Sequence, residues 1–247
     1  LLEFKKAFFE EMKEYIPQAA VPNYSSRIGT PVAYEISLPD FHYGKIGTIT
    51  QDQANRDFLN TIRELHRKAE GLNIERFVLP IGNDGLNSEG FSRATTKGTP
   101  QHDAEVIQGN HDFERMFYIG EVIESWYKDY EPVTVDNSYE SRKYYQYGKN
   151  MLMFTHGDKE KPAEMPLLMA TENPIMFAAC PNREVHCGHL HREIVNTYQG
   201  VKVRFLPSIC TNDAWHRAKG YSAPREAQAY IWNKEKGCEG YLQVNLK

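Results

Sequence analysis

Five apolar stretches of this chain run directly into histidine, aspartate or asparagine, the residue types that commonly bind metal ions. Such stretches predict β-strands, and in each case the polar residues follow at the point where the strand ends. One such end is ordinarily a turn or a helix cap, but five of them in one chain favour a shared site. The five segments are PDFH (39–42), IGNDGLN (81–87), GNHD (109–112), FTHGD (154–158) and CGHLH (187–191).

A strand–helix–strand pattern surrounds the first two segments. Residues 31–45 predict a strand, 50–71 predict a helix with Thr50 as its N-cap and Gly71 as its end, and 74–84 predict a buried strand. A crossover through a helix joins parallel strands, whose carboxyl ends lie at the same edge of a sheet. We therefore expect the polar ends of these two strands to lie side by side.

The stretch before GNHD does not fit a simple continuation of this pattern. Residues 85–105 predict a long polar loop, and a crossover to a third parallel strand normally requires a helix of about a dozen residues. The interval from Gln101 to Val106 is too short for that helix. Either the 85–105 loop crosses without a helix or a segment is absent from the chain near 103–106, and we favour the second interpretation.

Further along, the sequence predicts one helix and several strands. The helix spans 114–130, a hairpin spans 144–158, and a short strand within 182–193 ends on CGHLH. The tail alternates apolar and polar residues, which predicts antiparallel strands. At the other end of the chain, residues 1–15 have apolar side chains at helical spacing and predict an amphipathic helix.

Composition limits the class of protein. A chain of 247 residues that is 40% hydrophobic can bury a core, and a net charge of −4 argues against binding by electrostatic attraction to nucleic acid alone. Four cysteines without a CxxC motif favour reduced thiols in a cytoplasmic protein, and no apolar run approaches the roughly 20 residues of a membrane span.

We expect one domain at 31–247. The helix and linker at 1–30 are expected to serve packing or the subunit contact of a homodimer.

The residue types in the five segments indicate the kind of metal. Imidazole, carboxylate and amide oxygen together suit Mn, Fe or Zn rather than Ca. Two divalent cations about 3.5–4 Å apart repel each other, so a bridging carboxylate is needed between them. Successive side chains of an extended segment point to opposite sides, so His189 and His191 can each serve a different ion. The pattern predicts a centre for two divalent metal ions.

These five segments resemble the signatures of the calcineurin-like metallophosphoesterase superfamily over about residues 34–191. The layout is most similar to phage and bacterial phosphoesterases of the repair-exonuclease branch. The resemblance implies an α/β (α+β) fold of two packed mixed sheets flanked by helices, in a four-layer sandwich. It also implies hydrolysis of phosphate esters through a metal-bridging hydroxide, with two divalent ions, manganese first and iron or zinc as alternatives.

The resemblance assigns a role to each polar residue of the segments. His111 would stabilise the transition state or protonate the leaving oxygen, and Asp112 would orient His111. The metal ligands implied are Asp40, His42 and His191 for the first ion, Asp84 as the bridge, and Asn110, His156 and His189 for the second ion.

One segment departs from the family pattern. The usual Gly-Asp-x-x-Asp is here Asn83-Asp84-Gly85-Leu86-Asn87. Asp84 keeps the bridging position, whereas Asn87 replaces an aspartate that normally orients a ligand. An alternative register, with Asn83 opposite the family aspartate, would lose the bridging charge.

Other polar residues are candidates for contact with a substrate phosphate, or else belong to solvated loops. His66 is predicted to lie on a helix surface and His186 to be structural. The candidates for substrate contact are Lys97, His102, Arg115, Arg192 and His216.

The substrate class stays open at this point. A phosphodiesterase or exonuclease acting on DNA or nucleotides is expected first, and a phosphomonoesterase or protein phosphatase is the alternative. A metal-bearing scaffold without turnover is the alternative from another class.

Overall fold

The computed structural model describes residues 29–45, 48–85, 113–128, 130, 132–211, 220 and 223–246. The helices in these ranges are α1 (Gln51–Lys68), α2 (Phe113–Tyr127), α3 (Met165–Glu172) and α4 (Pro174–Ala179), with a 3-10 turn at Pro162–Glu164. The strands are β1 (Val32–Ser37), β2 (Ile74–Val78), β3 (Lys143–Tyr147), β4 (Asn150–Thr155), β5 (Asn182–Cys187), β6 (Ile194–Tyr198), β7 (Val201–Phe205), β8 (Arg225–Asn233) and β9 (Gly237–Leu246).

The described strands form two sheets, and both are mixed. The first has the order β2-β1-β8-β9, in which β1 is parallel to β2 and antiparallel to β8. The second has the order β3-β4-β5-β7-β6, in which β4, β5 and β7 are parallel to one another and β3 and β6 run antiparallel to their neighbours. The predicted fold class of two mixed sheets with helices is confirmed.

Helix α1 forms where its sequence predicts it and packs against the first sheet. The amide of Gln53 donates to the Thr50 side-chain oxygen at 3.2 Å, which confirms the predicted N-cap. Leu65 and Ala69 are buried, and the hydroxyl of Tyr34 on β1 donates to the Leu65 carbonyl at 2.8 Å. Burying a leucine side chain contributes about 1.5–3 kcal/mol, so this face fixes the helix on the sheet.

The strand–helix–strand prediction is confirmed in its topology but not in its strand lengths. The first strand ends at Ser37 and the second at Val78, well before the predicted ends at 45 and 84. Asp40 has a φ of +55°, a left-handed conformation that cannot continue a strand. The prediction that the second strand is buried is also wrong, because β2 is the edge of its sheet among the described residues and Phe77 is 43% exposed.

Other boundaries and pairings agree in part with the sequence. The hairpin of β3 and β4 and the antiparallel pairs β6–β7 and β8–β9 are confirmed, but β7 also pairs in parallel with β5. Helix α2 ends at Tyr127, before the predicted 130, and α3 and α4 were not predicted. The predicted helix at 1–15, the predicted loop from 86 to 105 and the expected break near 103–106 lie outside the described residues.

None of the described helices combines the length and the apolar character that crossing a lipid bilayer requires.

The two sheets meet in a core that contains both apolar and charged side chains. His186 on β5 is buried, and its Nδ1 donates to Glu35 Oε1 on β1 at 2.6 Å, so the prediction that His186 is structural is confirmed. His66 lies exposed on α1, as predicted. The apolar residues of this interface include Ala33, Val78, Tyr147, Leu152, Phe154, Leu206, Tyr230 and Trp232.

The charge of His186 predicts how stability depends on pH. Burial alone would lower the pKa of His186, but attraction to Glu35 and Glu184 outweighs it and raises the pKa from 6.5 to about 9. Arg204 and the Tyr230 ring also face this group. A histidine with a raised folded-state pKa contributes stability that is complete below its unfolded pKa and is lost as pH rises through the folded value. The free energy of unfolding should therefore fall between about pH 6.5 and pH 9.

Urea unfolding at a series of pH values measures this fall. The fall should be smaller in His186→Gln, whereas substitution of the exposed His66→Gln should leave it unchanged. An identical pH slope in the unsubstituted protein and in His186→Gln would contradict the prediction.

Candidate metal centre

Four strand ends bring two aspartates and four histidines together on one side of the molecule. Segments after β1 and β2 supply the aspartates and one histidine from the first sheet. Segments after β4 and β5 supply the other three histidines from the second sheet. The six residues are Asp40, His42, Asp84, His156, His189 and His191.

Asp40, His42 and His191 form one group that could hold a metal ion. The two imidazole Nε2 atoms lie 3.2 Å apart, and the Nε2 of His191 is 3.5 Å from Asp40 Oδ1. The Nε2 of His42 is 3.9 Å from the same oxygen. Nitrogen ligands that bind one ion at about 2.0–2.1 Å lie about 3–3.4 Å apart, so this spacing fits a shared ion.

A second group contains Asp40, Asp84 and His156, with His189 beside it. The Nε2 of His156 lies 3.2 Å from Asp84 Oδ2 and 3.2 Å from His189 Nδ1. Asp84 Oδ2 is also 4.0 Å from the Nε2 of His42, which belongs to the first group. Both carboxylates therefore lie between the two sets of imidazoles.

The carboxylate of Asp40 fits a metal ligand better than an ordinary buried aspartate. Its Oδ1 accepts a hydrogen bond from the His189 amide at 3.0 Å, but its Oδ2 is buried with no hydrogen-bond partner among the described residues. Burial raises the pKa of Asp40 to about 7, and the neighbouring Asp84 adds to the rise while His156 opposes it. An unsatisfied buried oxygen is costly, so a bound cation would stabilise this arrangement.

His156 responds to the same charges. Burial would lower its pKa, but the hydrogen bond and the charge of Asp84 outweigh burial and raise it. The carboxylates thus favour a positive charge at the centre. Two carboxylates with four imidazoles form a donor set that suits Mn, Fe or Zn, and these residues could hold such ions.

The backbone of the centre is unusually strained. Among the described residues, seven non-glycine residues have a positive φ, and six of these belong to the motifs of this centre. Such conformations cost about 1–3 kcal/mol each and concentrate at functional sites. The six are Asp40 (+55°), His42 (+49°), Asn83 (+66°), Asp84 (+56°), His189 (+69°) and His191 (+52°).

Backbone hydrogen bonds hold the two loops of the first sheet against each other. The amide of Asp40 donates to the Asn83 carbonyl at 2.6 Å, and the amide of His42 donates to the Asp84 carbonyl at 3.0 Å. A third bond joins the amide of Tyr43 to the Gly85 carbonyl at 2.7 Å. These bonds continue the pairing of β1 and β2 into the site and fix the two aspartates relative to each other.

The position of Asn83 explains one departure from the family pattern. At a φ of +66° a glycine is favoured, and asparagine is among the few other residues that adopt this region readily. Asparagine can therefore stand at this position, where the resembled motif has glycine, without an unfavourable backbone. Asn87, the other departure, lies outside the described residues.

Two residues that the sequence did not single out also shape the centre. The hydroxyl of Ser208 donates to the Asp40 carbonyl at 2.7 Å and is itself buried. A Cβ at Gly188 would lie 2.7 Å from Asp40 Oδ2, so only glycine fits beside that carboxylate. The sequence contained a signal for Ser208, because this residue follows the end of β7 in the same way that the candidate ligands follow their strands.

The remaining predicted site residues are placed in part or not at all. Arg192 lies exposed next to His191. Arg115 lies within α2, and its side chain is not described. The predictions for Asn87, Lys97, His102, Asn110, His111, Asp112 and His216 fall outside the described residues.

Comparison with known proteins gives matches among solved structures. No family model and no curated protein sequence matches this chain. An archaeal phosphodiesterase matches with a TM-score of 0.42 and 17% identity over 86% of this chain and 99% of its own. A predicted phosphoesterase from Streptococcus pneumoniae matches with a TM-score of 0.38 and 12% identity over 88% and 100%. A double mutant of Vps29 from Entamoeba histolytica matches with a TM-score of 0.36 and 10% identity over 87% and 99%.

The chain thus resembles solved phosphoesterase structures as well as the motifs of the calcineurin-like metallophosphoesterases. Conclusions about activity and about the role of each residue depend on the geometry of the centre itself.

Substitution of Asn83 tests whether the left-handed backbone is the constraint at that position. Asn83→Gly should change the free energy of unfolding by less than about 1 kcal/mol, because glycine adopts this φ without strain. Asn83→Val should lower it by about 1–3 kcal/mol, because a β-branched residue is a steric outlier there. Urea unfolding measures both changes.

The exposed strand residue Gln146 provides the control, since Gln146→Val should stay within about 0.5 kcal/mol. The idea fails if valine is tolerated at position 83 as well as glycine is.

Proposed function

We propose that this chain is a metal-dependent phosphoesterase of the calcineurin-like metallophosphoesterase family and that it hydrolyses phosphodiester bonds. The observation that carries the proposal is the convergence of two aspartates and four histidines from four strand ends. The two candidate groups share Asp40, which supports a centre for two ions rather than two separate sites. The order of the five sequence motifs supports the same family.

The ligands divide between the two ions as the motifs imply. The first ion would be held by Asp40, His42 and His191, with Asp84 as the bridge. The position of Asp84 between His42 and His156 supports the bridging role. The second ion would be held by Asn110, His156 and His189.

Manganese is proposed first, with iron or zinc as alternatives, because the donor set suits all three. When bound, two such ions would lower the pKa of a water molecule enough for it to attack at neutral pH and would draw charge from the phosphoryl oxygens.

The residues of the chain would supply the remaining steps. His111 would protonate the leaving oxygen as general acid, and Asp112 would orient its ring. Asn87 would orient the bridging aspartate. The candidates for contact with the substrate phosphate are Lys97, His102, Arg115, Arg192 and His216.

The substrate is proposed to be a phosphodiester of DNA or of nucleotides, in line with the repair-exonuclease character of the motifs. A net charge of −4 argues against a strongly basic track along nucleic acid and favours short substrates. A single catalytic domain at 31–247, preceded by the helix and linker at 1–30, a cytoplasmic location and a homodimer complete the proposal.

The function test measures metal content and hydrolysis on the same preparation. The chain loaded with manganese should bind two ions and hydrolyse bis-p-nitrophenyl phosphate faster than p-nitrophenyl phosphate. Digestion of single- and double-stranded DNA then distinguishes a nuclease from a diesterase of small molecules. Faster hydrolysis of the monoester would instead indicate a phosphomonoesterase or protein phosphatase.

Two histidine variants provide the matched comparison. His191→Ala should weaken manganese binding at least about tenfold, because loss of even a residue that only hydrogen-bonds to a ligand lowers metal affinity by about that factor. The rate of hydrolysis should fall with it. His66→Ala removes an exposed imidazole from α1 and should change neither quantity. Two bound ions without hydrolysis of any of these substrates would point to a metal-bearing scaffold.

His111 separates catalysis from metal binding. His111→Asn should lower turnover of the diester by about 100-fold or more, the contribution of a general acid, while both manganese ions stay bound. Metal analysis and rate measurement on one sample check this. Loss of an ion in His111→Asn would show that the role assigned to His111 is wrong.

A further inference from the structure

Glu35 and His186 make a direct contact between the two sheets beneath the metal centre. Glu35 lies on β1 and His186 on β5, and both side chains are fully buried. The Nδ1 of His186 lies 2.6 Å from Glu35 Oε1, which is the distance of a short charge-assisted hydrogen bond. The contact therefore ties one strand of each sheet to the other.

Both oxygens of the Glu35 carboxylate accept hydrogen bonds from side chains on the surrounding strands. Ser37 Oγ donates to Oε1 at 2.6 Å, and the indole Nε1 of Trp232 on β8 donates to Oε2 at 2.9 Å. With the imidazole, three donors from three strands surround one carboxylate. A buried carboxylate held in this way has one orientation, so it fixes the place of His186.

The opposite side of the imidazole faces a second carboxylate. The Nε2 of His186 lies 3.6 Å from Glu184 Oε2, an ion-pair distance. Arg204 Nε donates to the same oxygen at 2.7 Å, and Lys202 Nζ donates to Glu184 Oε1 at 2.9 Å. The ring of Tyr230 covers the imidazole with 4.5 Å between centroids. The imidazole is therefore hydrogen-bonded through Nδ1 on one side and lies at ion-pair distance from a second carboxylate on the other.

The pair lies directly below the strand ends that carry proposed ligands. Strand β1 ends at Ser37 and leads to Asp40, and β5 ends at Cys187 and leads to His189. Glu35 and His186 are therefore within two residues of the ends of their strands, a rise of about 7 Å or less. Any shift between the strands would change the distances between ligands of the two sheets.

Stability alone does not explain such a pair. A buried ion pair is often no more stabilising than apolar side chains of the same volume, since both charges lose their hydration. What the pair provides is a single relative position of the two strands. Apolar contacts at the same place are non-directional and set no particular donor–acceptor distance between the strands.

We propose that Glu35 and His186 are positioning residues that set the spacing between the two halves of the metal centre. The inference rests on the proposed function, because it takes the residues after β1 and β5 as ligands of the same ions. The pair touches neither metal nor substrate and acts through Asp40, His42, His189 and His191.

Titration of the full chain with cobalt(II), followed by visible absorption, tests this role. The d–d bands of cobalt report the geometry of its ligands, which a loss of stability alone would not change. His186→Leu removes the tie and should weaken cobalt binding about tenfold or more and alter the bands. His186→Gln keeps a side-chain N–H for Glu35 and should restore much of both.

Tyr34→Phe is the matched control. Tyr34 neighbours Glu35 on β1 but faces α1, where its buried hydroxyl donates to the Leu65 carbonyl. Its loss removes one buried hydrogen bond from the same strand and should leave cobalt binding and the spectrum unchanged. Equal loss in Tyr34→Phe would mean that general loosening of β1 is responsible and would overturn the inference.

Glu35→Gln covers the case in which His186→Leu does not fold. The amide has the shape of the carboxylate but lacks its charge, and it should also weaken cobalt binding and shift the bands. Folded variants at position 35 or 186 with the affinity and spectrum of the unsubstituted protein would overturn the inference. If the unsubstituted chain itself fails to bind two cobalt ions, the proposed function fails instead.

Discussion

Asp40, whose carboxylate is buried, is the residue through which several separate segments of the chain are hydrogen-bonded to one another. Its amide donates to Asn83, its carbonyl accepts from Ser208, and its Oδ1 accepts from the amide of His189. The absence of a side chain at Gly188 leaves room for Oδ2. These contacts join loops that follow β1, β2, β5 and β7, and so the geometry of the centre follows from the placement of one aspartate.

The strained backbone around this aspartate has a chemical reason. Left-handed conformations are most common for glycine, and here aspartates and histidines that follow the ends of strands adopt them, residue types that enter this region more readily than most. The cost of about 1–3 kcal/mol for each has to be offset by the packed sheets beneath. Among the six strained residues of these motifs, Asn83 is the one that is not a proposed ligand, and asparagine tolerates the conformation as aspartate does.

The two sheets divide the centre between them, so their relative position matters as much as the loops. The first sheet supplies both aspartates and one histidine, and the second supplies three histidines. Apolar packing brings the sheets together, whereas the contact between Glu35 and His186 is directional. A centre assembled from two sheets needs such a directional contact because ligand distances tolerate errors of only a few tenths of an ångström.

The sequence predicted the elements better than their ends. Helix α1, its Thr50 cap and the parallel pairing of β1 and β2 followed from local patterns, and the motifs identified the six residues that meet at the centre. The strand lengths were overestimated, since Pro39 is followed by a loop in which Asp40 and His42 have left-handed backbone conformations, and apolar periodicity does not reveal such a loop. The parallel pairing of β7 with β5 was missed because it joins residues that are distant in the chain.

The sequence by itself determined which chemistry is proposed for the chain, because the type and order of the proposed ligand residues are contained in five short motifs. The tertiary structure alone decided that both carboxylates lie between the imidazoles, that Gly188 and Ser208 hold Asp40 in place, and that a buried charge pair ties the sheets beneath them. Each of these depends on contacts between segments far apart in the chain, and no local pattern encodes a distance across two sheets.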